Sequence, residues 1–334
     1  MSAARDTVSD AIARETAGLV KLYDFSDATS VRLLSESENK IFLVEDSERS
    51  DKFVIRVNSG RLGYHKPPMI ASELMWLMAL RRDTDIVVPE VMHALDGSLV
   101  QTISAPDMDK PRHAVIYSFL PGTEPPEDQL VPGFERLGEI SARMHLHARD
   151  WEPPPAFQRP SWLPDVIFED RLNWGRWQDG VGVESETLEL LSRLEAMVRE
   201  RAARLPTGRE YFGLIHADLR LANLLVEGDR TAIIDFDDCG PGWYLFDLAS
   251  ALSFLEERPD VPELIACWLK GYRKVSDVPA DIEEEIPTFI MMRRLQLMGW
   301  VGYQQQHLDF AREIGPGFTV NTCRLAQDYL NRFA

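Results

Sequence analysis

The run His216-Ala217-Asp218-Leu219-Arg220-Leu221-Ala222-Asn223 puts an imidazole, a carboxylate, a guanidinium and a carboxamide into eight consecutive residues. Twelve positions after Asn223 comes Asp235, in the run Ile233-Ile234-Asp235-Phe236-Asp237-Asp238. An aspartate followed five residues on by an asparagine, then an apolar strand ending in carboxylates, is the arrangement that phosphoryl transfer requires. A hydroxyl is a poor nucleophile, so a fixed carboxylate must orient it and accept its proton, and Asp218 is placed for that. The triphosphate of ATP needs its charge neutralised by Mg2+, a hard cation that takes oxygen ligands. Asn223 offers an amide oxygen for it and Asp235 a carboxylate. His216 is expected to hold the loop by hydrogen bonding rather than to titrate. Each residue alone would pass for a turn cap; their joint spacing carries the prediction.

These residues and the continuation Ile233-Ile234-Asp235-Phe236-Asp237-Asp238-Cys239-Gly240-Pro241-Gly242-Trp243-Tyr244-Leu245-Phe246-Asp247 resemble the aminoglycoside phosphotransferase and choline kinase superfamily. The likeness is greatest to its homoserine kinase type II and stress-response kinase branch. It extends from the first helix to the helix of Arg293 and Arg294, and is most specific between residues 211 and 250. It implies an α+β, bilobal protein-kinase-like fold with a small antiparallel-sheet N-lobe, a mainly helical C-lobe, and ATP bound between them. It implies Asp218 as base, Asn223 and Asp235 as metal ligands, and Asp247 as an anchor of the catalytic loop. Arg220 stands where protein kinases carry a lysine that neutralises the transferring group.

On the nucleotide side, Val54-Ile55-Arg56-Val57 occupies the place of the phosphate-gripping lysine strand of protein kinases, with arginine instead. Its planar fork suits bidentate phosphate binding. Glu73, the only acid between Arg56 and Asp83, is its expected ion-pair partner. The loop Leu34-Ser35-Glu36-Ser37-Glu38-Asn39-Lys40 has no glycine, so Ser37 and Asn39 are the expected phosphate contacts, with Glu36 and Glu38 facing away. Ser118, Phe119 and Leu120 are expected to offer backbone groups to adenine, with Tyr117 and Phe119 as walls. Asp237 and Asp238 fit weak metal ligation or the holding of a substrate amine, and equally a solvated turn. Trp243 and Tyr244 are expected to wall the acceptor pocket, because aromatic faces accept organic cations. Trp174, Arg176 and Trp177 are expected over the acceptor, and the Arg293-Arg294 helix either contacts it or simply packs.

The elements that must position these groups read in two blocks. Helix 8–23, strands 31–34, 41–45 and 53–57, helix 70–80, and strands 99–103 and 113–118 suggest a lobe over residues 1–119. Leu22 is expected beside Ile12, Leu19 and Tyr23 on one face. Beyond Pro121-Gly122 a helical lobe, 120–334, is expected, with helices over 134–147, 184–205, 246–256 and 261–272 and two final stretches. Strands 224–226 and 231–234 flank a Gly228-Asp229 turn, Trp151 to Pro164 is an irregular loop, and Gly240-Pro241-Gly242 is a turn.

A chain of 334 residues with net charge −18 argues against nucleic acid or an anionic membrane as partner, and an acidic surface favours a cationic acceptor. With no signal-like or spanning apolar run, and with Cys239, Cys267 and Cys323 lacking metal-ligand spacing, a cytoplasmic protein with reduced thiols is expected. Two classes of activity compete: transfer to a small amino alcohol or hydroxylated amine (homoserine, hydroxylysine, choline or an aminoglycoside), and a protein Ser/Thr kinase. Only twelve positions separate Asp235 from Asp247, too few for a long peptide-docking segment, which favours the small acceptor. A scaffold without turnover is disfavoured by the presence of Asp218, Asn223 and Asp235 together. Oligomeric state is not encoded in any of these features.

Overall fold

Alternation of apolar and polar side chains in short β-branched runs builds an antiparallel sheet in the first part of the computed structural model, which describes residues 2–126 and 129–333. The chain divides into two units, 1–122 with 153–158, and 123–152 with 159–334. The first unit contains α1 (Ser2–Gly18), β1 (Thr29–Glu36), β2 (Lys40–Asp46), β3 (Asp51–Val57), α2 (Pro67–Asp83), β4 (Gln101–Ile103) and β5 (Arg112–Ser118). Its strands lie in the order β1-β2-β3-β5-β4, each pair antiparallel.

Phe42 and Val44 of β2, Ile55 and Val57 of β3, and Ala114 and Ile116 of β5 pack with Ile12 of α1 and with Leu19 and Tyr23 in one buried cluster. Because side chains alternate along a strand, Arg56 between Ile55 and Val57 projects from the opposite face. Pro67 and Pro68 begin α2, where a missing N–H is harmless. The predicted helix to Tyr23 stops at Gly18 and tightens into a 3-10 turn over Leu19–Leu22. The change of pitch turns Leu22 out, 44% exposed, away from the face it was expected to share.

The second unit contains α3 (Leu130–Asp150), α4 (Pro164–Phe168), α5 (Ser185–Ala202), β6 (Phe212–Ile215), β7 (Leu224–Glu227), β8 (Arg230–Ile233), β9 (Gly240–Trp243), α6 (Leu245–Ala251), α7 (Val261–Tyr272), α8 (Ala280–Glu283), α9 (Ile286–Gln304) and α10 (Asp309–Phe333). β7 and β8 form a hairpin, and β6 pairs with β9. The Gly240-Pro241-Gly242 segment is therefore a strand, not the expected turn. Glycine is needed there because a Cβ at Gly240 would lie 2.1 Å from the Pro160 carbonyl oxygen. The helix expected over 246–256 ends at Ala251, and Phe254 takes a left-handed φ of 68°.

The loop 151–164 is divided in its allegiance. Gln158 N–H donates to Ser72 Oγ at 2.8 Å within the first unit, whereas Trp162 N–H donates to Pro241 O at 2.7 Å within the second. α9 is buried nearly all round, Arg293 and Arg294 included, at 2% and 1% exposure.

Candidate active site

The loop from β6 to β7 carries residues 216–223, and its conformation is held from below by α6. Ala217 sits at φ 66°, a region L-residues avoid. It stays there because its neighbours over-determine it. Its N–H donates to Asp247 Oδ1 at 2.7 Å, and its carbonyl accepts from Ser250 Oγ at 2.7 Å and Arg293 Nη1 at 3.3 Å. Asp247 Oδ2 also accepts from the His216 N–H at 3.1 Å, and fully buried His145 reaches the same oxygen through Nε2 at 2.9 Å. Burial pushes the His145 pKa down, opposed by Asp247.

The His216 ring bridges the loop to the end of the hairpin. Nε2 lies 3.1 Å from Ile234 O and Nδ1 lies 3.4 Å from the Asp218 N, so the ring ties the two segments together. Asn223 donates through Nδ2 to Asp218 O at 2.7 Å and to Asp218 Oδ2 at 3.1 Å. That orientation turns its amide oxygen away from Asp218. The Ile234 N–H donates to Asn223 O at 3.0 Å, extending the hairpin by one pair, with Asp235 the next residue of the chain. Asp235 itself is exposed, at φ 64°, a conformation aspartate tolerates better than most residues.

Arg220 Nε lies 3.2 Å from Asp218 Oδ1. The charge of Asp218 is the main reason the Arg220 pKa is raised, and the charges of Asp235 and Asp238 add to it. The sequence did not single out Arg293 for this place: its Nη2 lies 2.6 Å from Asp218 Oδ1. Burial alone would push the Asp218 carboxyl up; Arg220 and Arg293 outweigh it and hold the group below the ordinary aspartate value. Asp237 is buried, 5% exposed, and Asp238 half-buried. Backbone carbonyls of this turn are pinned by the Pro-rich loop: Arg159 donates to Asp237 O and to Cys239 O, the latter at 2.6 Å, and Trp162 Nε1 donates to Asp238 O at 2.8 Å. Chain pattern gave no sign of this brace, because its partners are main-chain oxygens about 80 residues away in sequence.

A divalent ion fits this donor set. Asn223 and Asp235 supply hard oxygens, and Mg2+ is ordinarily held by one or two carboxylates together with substrate phosphates. Among the described residues no group of three or more His, Cys, Asp or Glu side chains gathers into a protein-only metal cage.

In the first unit, Arg56 and Glu73 make a buried bidentate pair, Nη1–Oε1 2.8 Å and Nη2–Oε2 2.7 Å. Tyr117, expected as an adenine wall, instead donates to Glu73 Oε1 at 3.3 Å and lies under the Arg56 guanidinium. Register explains it: Val54 and Arg56 of β3 oppose Tyr117 and Val115 of β5 on one face. Ser37 is exposed at the tip of the β1–β2 hairpin, with its N–H on Asn39 O at 3.0 Å. Asn39, expected to touch phosphate, is 6% exposed and accepts from the Ser59 N–H at 3.3 Å. Glu36 pairs with Lys40, and Glu38 is held by Ser59 Oγ at 2.8 Å and Arg61 Nη2 at 2.9 Å.

Two amides expected to face adenine are committed to backbone partners: Ser118 N–H to Glu90 O at 2.8 Å and Phe119 N–H to Lys52 O at 3.1 Å. Leu120, third of that segment, is half-buried.

Trp243 and Tyr244, expected to wall the acceptor pocket, are buried, at 3% and 4% exposure. Pairing of β9 with β6 turns them inward. Trp243 Nε1 donates to Pro206 O at 3.0 Å, and the Tyr244 hydroxyl donates to Arg209 O at 3.0 Å while its ring stacks on His145. Trp174 and Trp177 are likewise buried, the first edge-on to Trp162, the second donating to Glu195 Oε2 at 2.7 Å; Arg176 is exposed.

Comparison with known proteins gives a consistent picture. The phosphotransferase enzyme family (APH) matches residues 30–283. Amicoumacin kinase of Bacillus subtilis (strain 168) is 24% identical over 289 residues, covering 83% of this chain and 81% of that protein. A microcompartment-associated aminopropanol kinase structure is 39% identical with a TM-score of 0.85, covering 95% of this chain and 97% of the other. The structure of an amicoumacin kinase in complex with AMP-PNP, Ca2+ and Ami aligns with a TM-score of 0.76 at 21% identity, over 98% and 95% of the two chains. The protein-kinase-like architecture of sheet-bearing N-terminal unit and helical C-terminal unit is shared with these neighbours.

Proposed function

Because the chain belongs to the phosphotransferase enzyme family, we propose that it moves the γ-phosphate of ATP to the hydroxyl of a small amino alcohol of the aminopropanol type. The observation that carries this reading is the Asp218 constellation: a carboxylate gripped by Asn223, Arg220 and Arg293. Asp218 accepts the proton of the acceptor hydroxyl as its oxygen attacks the γ-phosphorus and the bond to the β–γ bridging oxygen breaks, releasing ADP. Arg220 offers positive charge to the transferring group, standing free enough at 33% side-chain exposure to do so. Mg2+ held by the Asn223 amide oxygen and the Asp235 carboxylate would offset the charge of the triphosphate. Asp237 and Asp238 are further carboxylates that would ligate the metal weakly or hold the acceptor's ammonium. Arg56, oriented by Glu73, is the phosphate-gripping cation of the first unit, and Ser37 a phosphate contact at its hairpin tip.

Two observations support a small acceptor over a protein one. The stretch from Asp235 to Asp247 is filled by a 3-10 turn, β9 and the start of α6, with no long segment for peptide docking. The relative at 39% identity is an aminopropanol kinase. The test is ATP consumption with Mg2+ and a panel of amino alcohols, hydroxylated amines, aminoglycosides and generic protein acceptors. Turnover with aminopropanol and its homologues is expected; turnover confined to protein acceptors would refute the proposal.

A further inference from the structure

We infer that Arg293, from α9, is a positioning residue that fixes Oδ1 of Asp218 and so selects Oδ2 as the oxygen that takes the acceptor's proton. The inference rests on Asp218 being the base, as proposed above, and assigns how that base is aimed. A carboxylate has two lone pairs on each oxygen. Both on Oδ1 are engaged by cationic donors, Arg293 Nη2 at 2.6 Å and Arg220 Nε at 3.2 Å. Oδ2 takes one neutral donor, Asn223 Nδ2 at 3.1 Å, and keeps a lone pair for a hydroxyl. Charge-assisted bonds are the stronger ones, so the carboxylate is pinned at Oδ1 and presented at Oδ2.

The two arginines are not equivalent. Arg220 is one-third exposed, whereas Arg293 is 2% exposed and held on every side. Its Nε donates to Ser253 Oγ at 3.0 Å, and its Nη1 to Gln296 Oε1 at 3.1 Å and to Ala217 O at 3.3 Å. One guanidinium thus grips the side chain of the base and the strained peptide just before it. Burying an arginine is costly, and such an ion pair often adds little to stability. Its geometry fits the aiming of a carboxylate whose hydroxyl partner must arrive in line with the γ-phosphorus. During transfer the hydroxyl proton passes to Oδ2 as the new P–O bond forms, the bridging bond breaks with its electron pair leaving on ADP, and the proton is later lost to solvent.

The experiment compares kcat and KM with aminopropanol and Mg-ATP for the full chain and for Arg293→Met, Arg293→Lys, Asp218→Asn and the double variant Arg293→Met/Asp218→Asn. Arg293→Met is expected to lose about 100-fold in kcat with KM for ATP within about twofold, the loss seen when a reacting group is misplaced. Arg293→Lys is expected to recover part of that loss, since an ammonium can reach Oδ1 but cannot also hold Ala217 O and Ser253. The double variant is expected to be no slower than Asp218→Asn, as for residues acting as one unit. Arg293→Met turnover within about threefold of wild type, or full multiplication of the two losses in the double variant, would overturn the inference. If Arg293→Met does not fold, Arg293→Lys decides: a roughly tenfold lower kcat at unchanged KM for ATP supports it, and wild-type kcat overturns it. Wild-type turnover by Asp218→Asn would instead strike the underlying assignment of the base.

Discussion

A low carboxyl pKa is compatible with a base here, because in phosphoryl transfer the hydroxyl proton moves late and orientation matters more than basicity. Asp218 is accordingly kept ionised by Arg220 and Arg293 against its burial and kept still by Asn223. Asp218→Ala should lower kcat by about 1,000-fold or more while ATP binding is retained, measured as nucleotide affinity beside steady-state turnover. Asp235→Ala should instead abolish the Mg2+ dependence of nucleotide binding. Equal affinity with and without metal in the wild-type chain would contradict the ligand assignment. His216 lies outside this chemistry: its two nitrogens are tied to Ile234 O and the Asp218 N–H, so its work is to hold two segments in register.

At the scale of elements, the loop's shape depends on helices distant in sequence. α6 contributes Asp247 and Ser250, α9 contributes Arg293, and α3 contributes His145, whose Nδ1 meets the Tyr272 hydroxyl of α7 at 3.1 Å. α3 and α7 can both serve because they cross almost backbone to backbone. A Cβ at Gly138 would fall 1.9 Å from the Trp268 carbonyl oxygen, and one at Gly271 would fall 1.8 Å from that of Glu135. Gly138→Ala should therefore push the helices apart and destabilise the protein by about 2 kcal/mol or more, read as a lower denaturant midpoint. Unchanged stability would show that the crossing relaxes freely. Activity should fall with it, since His145 and Tyr272 carry the shift to Asp247.

Over the whole molecule, 54 acidic against 36 basic residues leave a strongly negative surface. A protonated amine is drawn toward such a field and an uncharged alcohol is not. The KM for aminopropanol should therefore rise several-fold between ~0.05 and ~0.5 M salt as the field is screened. The KM for an uncharged diol should stay flat, and parallel behaviour of the two would remove the electrostatic argument. Among the described residues no helix is long and apolar enough to cross a membrane. Each unit has its own core, and the second retains the strand pairs, the loop and the helices that surround Asp218.

The sequence alone determined what depends on neighbours in the chain. Strand alternation and helical periodicity marked most elements, and the His216-to-Asn223 spacing with Asp235 marked the loop, because a short segment confines its own residues to one place. The Arg56–Glu73 pairing was legible for a similar reason, Glu73 being the one acid between Arg56 and Asp83. The tertiary structure decided what depends on approach from afar. Gly240-Pro241-Gly242 became a strand because β6 lay ready to pair with it, which turned Trp243 and Tyr244 into core. Tyr117 went to an internal partner because register chose its face, and Asn39, in the turn between β1 and β2, went to the Ser59 N–H. Arg293 reached Asp218 across 75 positions, a contact that local pattern cannot encode, since only the packing of a buried helix sets where its guanidinium ends.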